Sequence, residues 1–383
     1  MAETPTSIDV QRWTREQIGL PAGARVAVAM SGGVDSSVVA ALLVEAGYDV
    51  IGLTARLYDV EPTEVPRAGS CCAPEDARDA RGVAAQLGFR HYVLDERESF
   101  HEEVIAPFIE SWREGETPNP CVACNRSLKF DRLLRRALNL GAEVLATGHY
   151  ARLDADEQRR PRLRRGRDRG KDQAYFLYPL PAAQAPLLRF PLGDLSKAEV
   201  RAHGERLGLN IAQKPESMDI CFVGASKPAD WLATQGGVPA GQLVSLDGTR
   251  LGRHDNLARF TVGQRRGLGL PGGQGVRYVV DKHADGTVII GGQEDLAVFE
   301  LRLEGYNPVC GELPQVGQRL GLQVRHRGKP VLTEVTEVSD QRLTLRPVAP
   351  LMGAARGQAG VLFEDDRVIG GGTIDAVVRA TEA

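Results

Sequence analysis

No apolar run in the 383-residue chain approaches the ~18 residues that a membrane-spanning helix needs. The amino terminus also lacks the basic-then-apolar pattern of a secretory signal, so a soluble cytoplasmic enzyme with no membrane partner is the expectation. An excess of charge of either sign is lacking as well, with 47 Lys and Arg against 50 Asp and Glu. The net charge is −3, and a nucleic-acid partner would have to be drawn by local basic clusters. Six cysteines in a chain this long, without an export signal, do not make a disulfide scaffold and read as chemistry, metal ligation or buried hydrophobes. A closed zinc site is disfavoured, because Cys121-x-x-Cys124 has no second Cys-x-x-Cys or His-x-x-x-His to complete it. Fixed-period repeats are absent to inspection.

What the chain does have is Met30-Ser31-Gly32-Gly33-Val34-Asp35-Ser36-Ser37. An apolar run, Arg25 to Ala29, precedes it as a buried strand, and Ser36 to Ala46 follows at helical spacing until Gly47. Two glycines let the backbone approach an anion, hydroxyls add donors, and a helix amino terminus adds unpaired N–H groups. The loop is therefore expected to hold phosphate. It carries neither the Gly-Lys-Ser/Thr of the mononucleotide P-loop nor Gly-x-Gly-x-x-Gly. A serine–glycine turn without a ligand is the alternative.

Further strands are expected at Asp49 to Thr54, His91 to Leu94 and Glu143 to Ala146. Helices are expected over Pro74 to Leu87, Phe100 to Trp112 with a bend near Pro107, Lys129 to Leu140, and Leu195 to Leu207. This alternation predicts an α/β domain with a doubly wound parallel sheet and its ligand at the carboxyl edge, spanning residues 1–210. Residues near Ala55 would then line an adenine pocket. Between Arg159 and Lys171 the composition turns basic, with Asp168 the only acid; a solvated loop and a phosphate-backbone contact are both open. Past residue 215, short segments separated by glycine predict strands at Tyr278 to Asp281, Val288 to Ile290, Leu320 to Arg325, Val331 to Val338, Arg342 to Val348 and Ala359 to Phe363. A small linking module (211–282) and a C-terminal β-barrel (283–383) fit that pattern.

The loop resembles the SGGxDS pyrophosphate loop of N-type ATP pyrophosphatases. Taken in order, Ser31 to Ser36, Thr117-Pro118-Asn119-Pro120 with Cys124-Asn125, Ala146-Thr147-Gly148-His149-Tyr150, Lys171-Asp172-Gln173 with Tyr175-Phe176-Leu177-Tyr178, Ile220-Cys221-Phe222, and Gly263-Gln264-Arg265-Arg266-Gly267-Leu268-Gly269 resemble the bacterial tRNA-specific 2-thiouridylase family, and Gly370-Gly371-Gly372 also fits. The resemblance implies adenylation of the 2-oxygen of a wobble uracil by ATP, followed by displacement of AMP by sulfur. It implies ATP contacts at Ala29, Met30, Ser31, Gly32, Gly33, Val34, Asp35, Ser36, Ala55 and Gly148, with Mg2+ beside Asp35. Cys221 would carry a persulfide received from a sulfur-carrier protein or cysteine desulfurase, and Cys124 would attack, closing a transient disulfide. Cys124 is expected just ahead of a helix beginning near Asn125, whose amino terminus would favour its thiolate.

Contacts to tRNA are implied at Asn119, Pro120, Cys121, His149, Lys171, Asp172, Gln173, Arg325, His326 and Gln358. A packed strand-end histidine is the other reading of His149, and an ordinary exposed position that of Arg325, His326 and Gln358. Many members of the family have Asp where this chain has Cys121. That departure opens a second route, in which Cys121, Cys124 and Cys221 hold a [4Fe-4S] cluster with one iron open to sulfide. Cys71, Cys72 and Cys310 are read as structural, and the chain as a monomer. Other readings are a ligase with the same loop acting on a small metabolite, and a non-catalytic RNA-binding protein.

Overall fold

The computed structural model describes residues 7–59, 74–215, 220–224, 226–270, 275–309 and 311–380. Cys71, Cys72 and Cys310 lie outside the described residues, as does Asp219 beside Cys221. The chain divides into two compact units, Met1–Glu103 with Ala123–Ala225, and Val104–Val122 with Ser226–Ala383.

The first unit opens with helix α1 (Ser7–Ile18) and then alternates β1 (Arg25–Ala29), α2 (Val34–Glu45), β2 (Asp49–Arg56), α3 (Pro74–Leu87) and β3 (Arg90–Asp95). Val26, Ala27 and Val28 are fully buried, which is what a parallel strand covered on both faces requires. Helix α2 is apolar nearly all round and accordingly sits inside, with Val38 to Leu43 buried. Helix α4 (Arg97–Phe100) passes through a π turn, His101–Ile105, into α5 (Ala106–Arg113). The expected bend near Pro107 is thus taken up one turn earlier, where the ladder shifts register ahead of a residue that has no N–H to give.

A second helical stretch corrects the expectation of a start at Lys129. It begins at Pro120 with α6 (Pro120–Ala123), runs as π-helix over Cys124–Leu133 and ends in α7 (Leu134–Asn139). Pro120 supplies the start, since a first-turn proline gives up only an N–H that would be unpaired anyway. Strand β4 (Val144–Thr147) follows, then a hairpin of β5 (Ala151–Ala155) and β6 (Pro161–Arg165), then β7 (Leu188–Arg189) and α8 (Lys197–Arg206). The hairpin occupies part of the basic run for which a solvated loop and a phosphate-backbone contact were both open: Leu163 is buried between outward-facing arginines, a period-two pattern hidden by the charge. The sheet order is β3-β2-β1-β4-β7 with parallel pairing throughout, so the order reverses between β1 and β4. In such sheets the crevice at the carboxyl ends beside that reversal is where ligands bind.

The second unit contains α9 (Pro228–Thr234) and a four-stranded sheet of β8 (Gly241–Ser245), β9 (Arg250–His254), β10 (Tyr278–Lys282) and β11 (Val288–Gly291), ordered β10-β11-β8-β9 around Leu243, Leu257, Phe260, Val279 and Ile290. Six strands then form a closed barrel: β12 (Val298–Pro308), β13 (Arg319–Gln323), β14 (Val331–Ser339), β15 (Arg342–Pro347), β16 (Ala359–Glu364) and β17 (Arg367–Arg379). Their order is β12-β15-β14-β13-β16-β17, and β12 pairs with β17 to close it. The glycine triplet makes closure possible, because a Cβ on Gly370 would lie 2.4 Å from the Asn307 carbonyl oxygen and one on Gly372 2.7 Å from that of Glu304. The architecture is the one expected: a doubly wound parallel sheet, a linking module and a barrel. Among the described residues no helix is long and apolar enough to cross a membrane.

Candidate active site: an anion loop and its supports

The loop expected to hold phosphate leaves the carboxyl end of β1 beside the reversal of strand order. Gly32 has φ +68°, and a Cβ there would run into the Asp76 carbonyl oxygen at 2.2 Å, so both conformation and space demand glycine. Gly33 caps α2 without any side-chain bond to the first turn, which leaves the leading N–H groups of the helix to an incoming acceptor. The hydroxyls shape the loop: Ser36 Oγ accepts from the Ser31 amide (3.2 Å) and donates to the Gly33 carbonyl (3.3 Å), while Ser37 Oγ donates to the same carbonyl at 2.9 Å. Gly148, just past β4, faces the first turn of α2; a Cβ there would come 2.9 Å from the Ser36 amide nitrogen. Ala29 and Met30 continue β1, and Ala55 is buried in the carboxyl half of β2. The residues expected around a nucleotide therefore do share one edge of one sheet.

Three supports were not legible in the sequence. Asp35 Oδ1 accepts from the Tyr150 hydroxyl (2.8 Å) and the Lys197 ammonium (2.7 Å). Lys197 is the first residue of α8, whose Ser196–Glu199 capping box fixes where the helix begins. The third support, Lys214, donates to the Gly32 carbonyl (3.1 Å), Asp76 Oδ1 (2.7 Å) and Asp79 Oδ2 (2.5 Å). Burial works against its charge, yet the two carboxylates raise its pKa above the ordinary lysine value. The capping box was the one available signal for Lys197; Tyr150 stands in the Ala146–Tyr150 motif without an assigned role, and nothing local marks Lys214, whose partners lie far away in sequence.

Cys124 is half-buried at the head of the π-helical stretch, and Asn125 ties that stretch inward by donating to the Phe176 carbonyl at 2.9 Å. Because the helix begins at Pro120, Cys124 lies inside it and not ahead of it, which corrects the expectation that a helix amino terminus would favour its thiolate. The π stretch is a distortion that recurs at functional sites. Cys221 is half-buried in a short turn of 3-10 helix, Cys221–Val223, where Phe222 packs edge-on against Phe100 at 5.7 Å. Among the described residues no group of three or more His, Cys, Asp or Glu side chains that could hold a metal ion is found; Cys121 belongs to the second unit, and Cys124 and Cys221 to the first.

Several residues expected to face tRNA turn inward. His149 is buried, with Lys129 donating to Nε2 (3.2 Å) and Nδ1–H donating to Thr147 Oγ1 (2.7 Å), an arrangement that assigns the neutral ring. Burial, with the Lys129 charge, holds its pKa well below the usual histidine range. The Asp172 carboxylate is buried and takes up Arg165 Nη1 (2.8 Å) and the amides of Gly166 (2.9 Å) and Ala174 (3.2 Å). Gln173 exchanges bonds with the Tyr150 backbone in both directions, while Lys171 is half-buried in the turn before it. Most of the basic run is paired: Arg160 with Asp156, Arg162 and Arg164 with Asp154, Arg165 with Asp172, and Arg167 with Glu199.

In the second unit Asn119 is half-buried, Pro120 buried and Cys121 exposed. Arg325 and His326 sit on the turn after β13, which also presents Arg327 and Lys329; the buried Gln323 amide shapes that turn by donating to the carbonyls of Arg325 (3.0 Å) and His326 (2.6 Å). Gln358 donates to the Thr117 carbonyl at 2.6 Å.

Family models match the chain in three consecutive pieces, described as a tRNA methyl transferase HUP domain (24–225), a tRNA methyl transferase PRC-barrel domain (229–292) and an aminomethyltransferase beta-barrel domain (299–374). A protein of Brucella suis named tRNA-specific 2-thiouridylase MnmA is 45% identical over 376 residues, covering 95% of this chain and 94% of that protein. One of the same name from Caulobacter vibrioides is 45% identical over 379 residues, covering 95% and 98%. Among solved structures, the U34-tRNA thiolase NcsA of Methanococcus maripaludis with its [4Fe-4S] cluster is 19% identical over 59% of this chain and 70% of that one, with a TM-score of 0.37.

Proposed function

The chain belongs to the tRNA-specific 2-thiouridylase family, and from that premise we propose that it is a sulfurtransferase that converts the wobble uridine of tRNA to 2-thiouridine with ATP. The observation that carries the reading is the uncapped amino terminus of α2 behind Ser31 to Gly33, at the reversal of strand order, with Gly148 leaving it open. An ATP pyrophosphate end fits that cradle on the chemistry of its donors alone: backbone N–H groups, hydroxyls and a lysine. In the free protein Lys197 is neutralised on Asp35, so both can change partner when phosphate arrives. Asp35 would then be available to Mg2+, which asks for a carboxylate and phosphate oxygens together.

The loop orients the α-phosphate toward the uracil 2-oxygen, whose attack expels pyrophosphate and leaves an adenylated base. Activation is required because a carbonyl oxygen leaves poorly and AMP leaves well. Cys221 would bear the outer sulfur of a persulfide received from a sulfur-carrier protein or cysteine desulfurase. Attack of the Cys124 thiolate on the inner sulfur forms the Cys124–Cys221 bond and expels hydrosulfide, which adds at C2 as AMP departs; an external dithiol supplies the two electrons that reopen the disulfide. None of these steps calls for a cluster. Asn119 to Cys121 would meet the base, and the exposed Arg325 turn the phosphate backbone. The same substrate argues for the cytoplasm. The readings as a small-metabolite ligase or a non-catalytic RNA-binding protein leave the paired cysteines and the full-length family match without a role.

The test is Cys221→Ser with both half-reactions followed. Pyrophosphate release that depends on added tRNA is expected to persist while 2-thiouridine disappears. Full thiolation by that variant would remove Cys221 as the sulfur bearer.

A further inference from the structure

Lys282, at the end of β10, is 1% exposed and takes no part in the chemistry above. Its ammonium lies 4.1 Å from the centroid of the Trp112 ring and donates to the Glu116 carbonyl at 3.0 Å. Burial pushes its pKa down to about 7, against the pull of Asp281 and Glu116 and with Arg356 adding to the push. Burying an ammonium is costly unless its contacts compensate, and here the Trp112 face and the Glu116 carbonyl are the contacts it makes.

Its partner is the root of the segment Thr117-Pro118-Asn119-Pro120-Cys121. Two more contacts close on the same root. The Thr117 amide donates to the Arg356 carbonyl (2.8 Å), and Gln358 Nε2 donates to the Thr117 carbonyl (2.6 Å). Arg356 in turn donates from Nη2 to the Lys282 carbonyl at 3.1 Å, which links the grips to one another. Packing leaves no slack: a Cβ on Gly357 would lie 2.8 Å from Glu116 Cβ, and one on Gly115, at φ +79°, 2.9 Å from the His283 carbonyl carbon.

We propose that Lys282, Arg356 and Gln358 form a clamp on Glu116 and Thr117 that fixes where Asn119 to Cys121 meet the target base, making all three positioning residues for thiolation. Gln358 grips Thr117 through its Nε2 in the protein without tRNA. What the segment does rests on the thiolation reading; the clamp itself is a property of the protein without tRNA or ATP, and is tested there.

Hydrogen exchange at the Thr117 amide is followed in the full chain, without substrates, for the wild type, Lys282→Met and Gln358→Ala. Methionine is of similar size and suited to burial, so Lys282→Met is expected to fold. Loss of either grip is expected to speed exchange at Thr117 by about tenfold or more, as local opening becomes easier. At saturating tRNA, single-turnover thiolation is expected to slow by about tenfold to a hundredfold, the scale of a misplaced reacting group, with tRNA affinity held within about twofold. Unchanged exchange in both variants overturns the clamp, and faster exchange with a full thiolation rate overturns its positioning role. Lost tRNA affinity in Gln358→Ala with unchanged exchange returns that residue to direct contact. A wild type that never thiolates tRNA would instead sink the functional reading, with the exchange result still judging the clamp.

Discussion

Replacing Gly148 with alanine places one methyl group between the end of β4 and the start of α2. The new Cβ would meet the Ser36 amide nitrogen at 2.9 Å and the Asp35 carbonyl carbon at 3.1 Å, both backbone atoms that cannot swing aside. Restoring ordinary contact of 3.4 Å requires the strand end and the helix turn to part by about 0.5 Å. Overpacking of this kind costs about 1–3 kcal/mol. In a unit of this size that lowers the melting temperature by about 2–12 °C, leaving a folded protein at 25 °C. The functional cost is larger in proportion, because the turn that moves is the one that receives the phosphates, and displacements of this order reduce rates by about tenfold to a hundredfold. Titration calorimetry with ATP and Mg2+, alongside tRNA-dependent pyrophosphate release, reads the effect. Wild-type nucleotide affinity and adenylation in a folded Gly148→Ala protein would refute the assignment of this cradle to ATP.

The arginines of the hairpin separate by burial. Arg165→Ala strands the buried Asp172 carboxylate and is expected to cost about 3–5 kcal/mol in urea unfolding, whereas Arg162→Ala removes a pair that is largely solvated and should cost about 0–1 kcal/mol. His149 gives a pH dependence. Its folded pKa lies well below its unfolded value of about 6.5, so below that pH the unfolded chain binds more protons and stability falls as the solution is acidified. His149→Gln should flatten that part of the stability profile; an unchanged slope would show the ring is not held neutral. Lys282 acts at the other end. Its folded pKa of about 7 lies below an unfolded value of about 10.4, so stability should rise with pH between those values, and lose that rise in Lys282→Met.

The first 150 residues were legible because their signals are local. An apolar strand, a glycine turn and an apolar helix in succession leave few arrangements open, and β1, α2 and α3 fall within two residues of where periodicity predicts them. The failures have physical causes. The β5–β6 hairpin was hidden because arginines paired to Asp154 and Asp172 read as a solvated run when the partners are not seen. Strand β17 was missed because glycines that permit barrel closure also depress strand propensity. The early start of the helix at Pro120 was masked by two prolines that look like loop. In the site, the loop was readable from its own chemistry and Gly148 only through the family resemblance, while Tyr150, Lys197, Lys214 and Lys282 work through partners distant in sequence. Inward-facing His149 and Asp172 show the converse: a motif names a residue without saying which way its side chain turns.

Mass spectrometry of the nucleosides from tRNA incubated with the protein, ATP, Mg2+ and a persulfide donor tests the central claim most directly. The expected result is 2-thiouridine at the wobble position, with AMP and pyrophosphate formed in equal amounts and none without tRNA. A methylated uridine in its place, or AMP formed on a small metabolite with the tRNA unaltered, would contradict it.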